Sequence, residues 1–431
     1  MTVTRMTTGE AILRFLDQQY IAIDNNVEKF VDGFAILFGR GEEMGLATVH
    51  VSNPGSLKIY RSKNEQGAAG LALNFASRHK RRKIIACGIN SELKTESLIQ
   101  LAANATQNHI PLFFLVTDKR EGNESCPASI AFQAVCNYWK RVNRSDRLMT
   151  ALLDAMSVLT SPTRTGAVYI ALDRDFSEKA WDIPKAFLEK RVHRIPRPLP
   201  PVKELQKAAE LITASRLPFL VVGGGANYSE AGKTVEDFSS RFHIPLGETT
   251  AGTNTVRPAH TLNLGVIGSR NFTAATQLAK ESDLLIGVGT RIHDHGHHIS
   301  RTNSNILTIG IYPPKGDRDN WQVTGDAKTV IYSLSLFLEK INYRTHWGNL
   351  PVLARAEWAE ASKNAFSPRH GVIHPVFSSP PDNVIATGRK AKANSKLKTD
   401  NASNTLIPYG KTYDEAFSHS LSRAQSDYST G

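Results

Sequence analysis

The sequence predicts an α/β protein with two doubly wound parallel-sheet domains and a tail of low order. Strand-like apolar runs alternate with amphipathic helical patterns, which is typical of parallel sheets covered by helices on both faces. A proline-rich connector interrupts the alternation at residues 194–201, and the pattern stops after residue 366. The predicted domains are therefore residues 1–193 and 202–366, followed by a basic tail at residues 367–431. A chain of 431 residues with 41% hydrophobic content can form both cores.

The first predicted domain alternates helices and strands in chain order. Residues 11–20 read as a helix because Ala11, Ile12, Phe15 and Leu16 fall on one face. The strands are short continuous apolar runs, as expected of strands buried on both faces. Helices are predicted at residues 11–20, 68–76, 96–107 and 147–159, and strands at residues 34–38, 57–60, 84–87, 111–116 and 167–172.

The connector is predicted to be a stiff linker, since its prolines can neither continue a helix nor pair inside a sheet. Beyond it, helices are predicted at residues 202–214, 274–281, 328–341 and 354–365, and strands at residues 219–222, 284–288 and 306–311. The first of these strands ends in Gly223-Gly224-Gly225, and such glycines can approach a phosphate. Tyr228 stands where a dinucleotide-binding pattern would have its last glycine, so we favour a tight turn.

Composition restricts the function classes. The net charge of +12 favours anionic ligands such as a diphosphate. The basic run at residues 78–83 lies between a helix and a strand, where a solvated loop is expected, so we predict no nucleic-acid binding.

Cys87, Cys126 and Cys136 have unrelated spacings, which predicts reduced thiols. No apolar run resembles a membrane span or a signal peptide, so we expect a cytoplasmic protein without membrane contact.

The stretch Lys63-Asn64-Glu65-Gln66-Gly67 follows a predicted strand and opens a predicted helix. An acidic residue at this place can meet a ligand at the rim of a sheet. It can also serve the helix itself, because Ser62 and Glu65 have the S-x-x-E spacing of a capping box. Taken alone, the stretch favours the capping box and leaves the ligand-binding alternative open.

Seven stretches carry a family likeness: residues 15–20 (FLDQQY), 57–60 (LKIY), 63–67 (KNEQG), 81–84 (RRKI), 138–139 (YW), 190–193 (KRVH) and 222–226 (VGGGA). Together they resemble the pyrimidine-binding and middle domains of thiamine diphosphate (ThDP) enzymes. Within that family the likeness is closest to the trihydroxycyclohexane-1,2-dione hydrolases of myo-inositol catabolism. The matching stretches follow the same order in the chain, which makes chance a poor explanation.

The resemblance implies roles for two residues. In ThDP enzymes the glutamate that matches Glu65 bonds N1′ of the cofactor's aminopyrimidine, favouring the imino tautomer that takes the proton from C2 of the thiazolium. Glu65 is therefore the predicted catalytic and cofactor-binding residue. Gln66 is a candidate for cofactor binding only because it adjoins Glu65. The implied reaction is hydrolytic cleavage of a C–C bond in a small cyclic 1,2-dione.

The resemblance also predicts that part of the site is missing. In the family, a third domain holds Mg²⁺ and the diphosphate through a Gly-Asp-Gly motif, and the sequence contains no such string. Gly325-Asp326-Ala327 is the nearest string, but it lies within the middle-domain likeness. Residues 88–92 replace the family's glycine-proline-glycine turn, and the stretch from Thr117 to Trp139 is shorter than in the family. We therefore expect the chain to be inactive alone.

Three functions remain open. The chain can be a truncated and silent hydrolase, which the missing motif favours for the isolated chain. It can be the pyrimidine-domain subunit of a split enzyme, with Mg²⁺ bound only if a partner chain supplies the missing domain. It can also be a non-catalytic nucleotide-binding or scaffold protein. The expected partners are accordingly a second copy of the chain or a separate diphosphate-domain subunit.

Two further segments have no assigned role. The run from His293 to His298 contains four histidines and Asp294, but it lacks the spacing of a helical metal site, so no ligand is assigned. The tail contains a basic run at residues 389–398 and one short helical pattern at residues 413–421. Its low apolar density and like charge predict little order, and binding of an anionic partner is the alternative.

Overall fold

The computed structural model describes residues 2–37, 55–90, 96–118, 130–173, 176, 179–267, 273–292, 305–312 and 320–365. The chain divides into two compact units between Pro196 and Arg197, a point inside the proline-rich connector. Each unit is built on a six-stranded parallel sheet with helices packed against it. The predicted α/β fold class is confirmed.

Unit 1 contains, in chain order, β1 (Val3–Thr7), α1 (Thr8–Asp17), β2 (Gln19–Ile23), β3 (Asn26–Lys29), β4 (Val31–Leu37), β5 (Lys58–Ser62), α2 (Glu65–Arg78), β6 (Ile84–Asn90), α3 (Glu96–Gln107), β7 (Leu112–Asp118), β8 (Tyr138–Val142), α4 (Ser145–Leu159), β9 (Ala167–Asp173), β10 (Ala180–Pro184) and β11 (Arg191–Arg194). Its main sheet has the order β5-β4-β6-β7-β9-β8, with every neighbouring pair parallel. Two small sheets, β1-β10 and β11-β2-β3, complete the unit.

The core of unit 1 lies on both faces of its central strands. Phe113 and Phe114 are successive residues of β7 that point to opposite faces of the sheet, and both are fully buried. Phe114 and Tyr169 on β9 pack with Phe132, whose ring stacks on that of Tyr169 at 4.5 Å between centroids. Burial on both faces explains why the central strands read as unbroken apolar runs.

The predicted first helix is wrong at its carboxyl end. α1 ends at Asp17 instead of residue 20, because Gln19 and Tyr20 belong to β2, which pairs with β11 and β3. The Gln19 side chain donates to Phe15 O at 2.6 Å. The pairing of β2 with β11 joins residues about 170 positions apart in sequence, so a local helical pattern could not reveal it.

His193 on β11 is predicted to make the unfolding free energy of unit 1 depend on pH. Its Nε2 lies 2.9 Å from Gln19 Oε1, and burial together with the nearby Arg191 lowers the pKa of its imidazole. On acidification, the imidazole of the unfolded chain is protonated near pH 6.5, whereas that of the folded chain is protonated only at a lower pH. The unfolding free energy should therefore fall as pH drops below about 6.5.

The variant His193→Gln keeps a donor for Gln19 and removes the titration. Calorimetric unfolding at pH 7.5 and 5.5 should show a smaller loss of stability on acidification for the variant than for the wild type. Equal losses for both proteins would show that His193 has no part in the pH dependence.

Unit 2 contains α5 (Val202–Ala214), β12 (Pro218–Val222), α6 (Gly224–Tyr228), α7 (Gly232–Phe242), β13 (Leu246–Glu248), β14 (Asn263–Val266), α8 (Ala274–Glu281), β15 (Leu284–Val288), β16 (Asn305–Gly310), β17 (Asn320–Thr324), α9 (Ala327–Lys340) and α10 (Leu350–Ala365). Its parallel sheet has the order β14-β13-β12-β15-β16-β17. The bounds of α5, α8 and β15 coincide with those predicted from the sequence.

The glycine turn after β12 is packed against protein backbone. Gly223 N donates to Val288 O at 2.9 Å, and Gly225 N donates to Gly289 O at 2.8 Å. Gly289 has φ +63°, and a Cβ there would lie 2.2 Å from Ala226 N. Two of the three glycine amides are therefore engaged by carbonyls at the end of β15, and Gly224 and Gly225 begin α6.

Asp326 has a structural role in unit 2. Its side chain caps α9 by accepting from Lys328 N at 3.1 Å and pairs with Arg197 at 3.2 Å. Both side chains are mostly buried, and the Ser229 hydroxyl donates to the same carboxylate at 2.9 Å. The string Gly325-Asp326-Ala327 is therefore a helix start, in agreement with its exclusion as a metal motif.

The packing at Gly289 can be tested with an internal control. Gly289→Ala should lower the unfolding free energy by about 2–5 kcal/mol, because it combines a left-handed backbone with a severe clash. Gly310→Ala, on β16, places a Cβ in open space and should change stability by less than about 1 kcal/mol. Denaturant unfolding of both variants measures the difference, and equal stability would contradict the described packing.

Candidate cofactor site

The stretch around Glu65 lies where β5 ends and α2 begins. β5 ends at Ser62, and Glu65 is the first residue of α2. Because the main sheet of unit 1 is parallel, the carboxyl ends of its strands share one edge, which is where open α/β sheets bind ligands. The fold therefore places Glu65 at the ligand-binding edge of the sheet.

Cross-strand bonds hold β5 against β4. Asp32 on β4 accepts a hydrogen bond from the Tyr60 hydroxyl and lies 3.4 Å from Lys58 Nζ. Partial burial and the Asp32 carboxylate raise the pKa of Tyr60 to about 12, so the phenol remains a donor at neutral pH. These contacts fix the edge strand from which the turn at Glu65 extends.

The predicted capping box of Ser62 and Glu65 is wrong. The N-cap of α2 is Asn64, whose Oδ1 accepts from Gly67 N at 2.7 Å. Ser62 is not the cap because α2 begins at Glu65, three residues after it. The helix thus begins two residues later than the S-x-x-E spacing implied, which frees Glu65 from the capping role. Asparagine is among the best N-cap residues, so its position directly before Glu65 was the signal that identified the true cap.

The Glu65 carboxylate is available to a ligand. The residue is partly exposed, and within the described ranges of the chain its carboxylate makes no hydrogen bond and no ion pair. Gln66, the next residue, is exposed. Both side chains therefore lie at the start of α2 at the sheet edge, as the sequence predicted, and their roles stay predictions.

Small residues bring α2 close to the sheet. Ala68, Ala69, Ala72 and Ala76 are buried along one face of the helix. Cys87 on β6 is fully buried with its Sγ 3.8 Å from Ala68 O, and burial raises the pKa of its thiol to about 12. Cys87 is thus a packing residue, because a thiol that stays protonated at neutral pH is a poor nucleophile.

The site fits one end of ThDP. An unengaged carboxylate at the sheet edge matches the N1′–H donor that an aminopyrimidine in its imino form presents. The diphosphate end finds no counterpart among the described residues, where no cluster of His, Cys, Asp or Glu could hold a metal ion. The histidine run at residues 293–298 lies outside the described residues. The described part of the chain therefore fits the pyrimidine and not the diphosphate with its cation.

Two glycines of α2 provide a matched test of the turn. A Cβ at Gly67 would lie 2.7 Å from Ser62 Oγ and 2.9 Å from Asn64 Oδ1, whereas a Cβ at Gly70 meets no atom within 4 Å. Gly70→Ala should raise the unfolding free energy by about 0.5–1 kcal/mol, since alanine is the better helix former.

Gly67→Ala should instead lower stability, because the new methyl group displaces the Asn64 cap, a loss of about 1 kcal/mol. Thermal unfolding of the two variants under identical conditions measures the difference. Two equally stabilised variants would contradict the described turn.

Comparison with known proteins supports the predicted resemblance. Residues 205–334, within unit 2, match the family described as thiamine pyrophosphate enzyme, central domain. The 3D-(3,5/4)-trihydroxycyclohexane-1,2-dione hydrolase of Clostridium perfringens is 40% identical over 378 residues, which cover 83% of this chain and 59% of that protein. The protein of the same name from Bacillus cereus is 38% identical over 366 residues, covering 80% and 57%.

The fold has a counterpart among solved structures. The X-ray structure of a protein assigned to the thiamin diphosphate-dependent enzymes, from Mycobacterium smegmatis, matches with a TM-score of 0.59 at 18% identity. The match covers 77% of this chain and 63% of that one. The predicted resemblance to ThDP enzymes is confirmed, and this chain spans 59% of the length of its Clostridium perfringens relative.

Within the described ranges, none of the helices combines the length and the apolar character that crossing a membrane requires.

Proposed function

We propose that this chain, a relative of the ThDP-dependent trihydroxycyclohexane-1,2-dione hydrolases, provides the aminopyrimidine half of a ThDP site. The observation that carries the proposal is the Glu65 carboxylate, which lies at the sheet edge without a bond to any described residue. A half-exposed acid that neither caps its helix nor pairs with a cation is available to accept a hydrogen bond from a ligand.

Glu65 has two tasks in this proposal. Its carboxylate accepts a hydrogen bond from N1′ of the aminopyrimidine and holds the proton there, as a general acid–base group must. Bound ThDP supplies a carbon nucleophile for a carbonyl substrate and accepts the electron pair of the broken C–C bond. Gln66 is exposed beside Glu65 and is the neighbouring candidate for contact with the cofactor.

The substrate and the second half of the site come from the relatives. Their shared name indicates hydrolysis of a cyclic 1,2-dione, and we assign the same reaction class to the complete site. The sequence of this chain contains no Gly-Asp-Gly string for Mg²⁺ and the diphosphate. We assign those ligands to a diphosphate-binding domain that corresponds to the part of the relatives beyond the similarity, because two phosphates in a cleft require compensating positive charge.

Reconstitution tests the proposal. The chain is mixed with the carboxyl-terminal part of the Clostridium perfringens relative that lies beyond the similarity, together with ThDP and Mg²⁺, and dione cleavage is measured. Glu65→Gln should lower kcat by at least about 100-fold, because it removes the proton-holding group. Its melting temperature should stay within about 3 °C of the wild type, since the carboxylate makes no hydrogen bond or ion pair with any described residue.

The control is Glu210→Gln, on the exposed face of α5, where the carboxylate pairs only with Lys207 among the described residues. This variant should retain full activity. Full activity of Glu65→Gln, or a wild-type mixture that neither binds ThDP nor cleaves the dione, would contradict the proposed function.

A further inference from the structure

Asn64 is the residue on which the turn between β5 and α2 is built. Its side-chain Oδ1 accepts from Gly67 N at 2.7 Å, and its backbone carbonyl accepts from Ala68 N at 3.1 Å. The same carbonyl accepts from the Ser62 hydroxyl at 2.9 Å. One residue therefore joins the last position of the strand to the first turn of the helix.

The backbone of Asn64 sets the direction in which the chain continues. Its φ of −152° and ψ of 169° are extended, and Glu65 directly after it is helical. Among the described residues the Glu65 carboxylate has no bond that would hold it in place. The position of that carboxylate therefore depends on the backbone of the turn, which the bonds to Asn64 fix.

The cap is neutral, and this property matters beside Glu65. Aspartate caps helices as well as asparagine does, but it would place a second carboxylate directly before Glu65. Two carboxylates this close disfavour each other's ionised form. Asparagine supplies the acceptor oxygen without the charge.

Among the described residues, few other ionisable groups share this region. Arg61 and Lys63 precede the turn. The elements packed against α2 carry Lys58 and Tyr60 on β5, Asp32 on β4, Cys87 on β6, Glu96 at the start of α3 and Asp118 at the end of β7. Asp32 is bonded to Tyr60 and paired with Lys58, and Cys87 is buried. A carboxylate at position 64 would thus be a new charge next to Glu65.

We propose that Asn64 is a positioning residue for Glu65. It fixes the backbone from which Glu65 extends. Its side chain is neutral and therefore places no second carboxylate beside Glu65. The first part depends only on the described hydrogen bonds. The second part rests on the proposed function, since it concerns the acid–base task of Glu65.

Hydrogen–deuterium exchange of the full chain tests the first part without any cofactor. Asn64→Ala should increase the exchange rate of the amides of Gly67 and Ala68, which donate to Asn64, by about 2- to 30-fold, which corresponds to the loss of an N-cap. Asn64→Ser and Asn64→Asp should both keep the wild-type rate, because each retains a capping oxygen. Unchanged exchange in Asn64→Ala would overturn the positioning role.

The effect of the neutral cap on Glu65 is tested with the reconstituted pair, that is, this chain mixed with the carboxyl-terminal part of the Clostridium perfringens relative, ThDP and Mg²⁺. Asn64→Asp should move the acidic limb of the kcat–pH profile to higher pH by about half a unit, whereas Asn64→Ser should leave the profile unchanged. Superimposable profiles for wild type, Asn64→Ser and Asn64→Asp would show a structural cap with no effect on Glu65. A wild-type pair without ThDP binding would instead refute the proposed function, while the exchange rates still decide whether Asn64 fixes the turn.

Discussion

The pairing of β5 with β4 is the constraint on which the candidate site depends. Residues 58–62 of the edge strand align in parallel with residues 33–37, and Asp32 ties the two strands together through Tyr60 and Lys58. This register determines where β5 ends, and hence where the chain can turn into α2. A shift of one residue would move the turn and carry Glu65 away from its place at the sheet edge.

Unit 2 uses its corresponding edge differently. The amides of Gly223 and Gly225 at the end of β12 donate to backbone carbonyls at the end of β15, so the backbones meet where a doubly wound sheet often leaves a crevice. Asp326 belongs to the string that most resembles the Gly-Asp-Gly metal motif. Its carboxylate pairs with Arg197 and caps α9. In the described part of unit 2, these groups therefore serve the fold.

The sequence predicted the elements that bury a continuous apolar run or a helical face. The helix over Glu96–Gln107 and the strand over Leu284–Val288 have the bounds expected from their patterns. The short strands β2, β8 and β11 escaped prediction because they are only partly buried and obtain their stability from partners distant in sequence. Such pairings depend on tertiary structure, which local periodicity does not encode.

The sequence pointed to Glu65 as the site residue, which stays a prediction, but it did not give the geometry of the turn around it. Resemblance and position both directed attention to Glu65, but the S-x-x-E spacing assigned its carboxylate to Ser62. The position at which β5 ends decides whether Ser62 or Asn64 caps α2. That position is set by the register in which β5 pairs with β4. The asparagine before Glu65 is a sequence signal for the true cap, and the pairing of β5 with β4 decides in its favour.

Native mass spectrometry of the chain isolated gently from its own cells tests the central claim most directly. If the chain supplies the aminopyrimidine half of a ThDP site, the spectrum should contain a species that carries the added mass of ThDP with Mg²⁺. A chain that appears only alone or with copies of itself, without the mass of the cofactor, would contradict that claim.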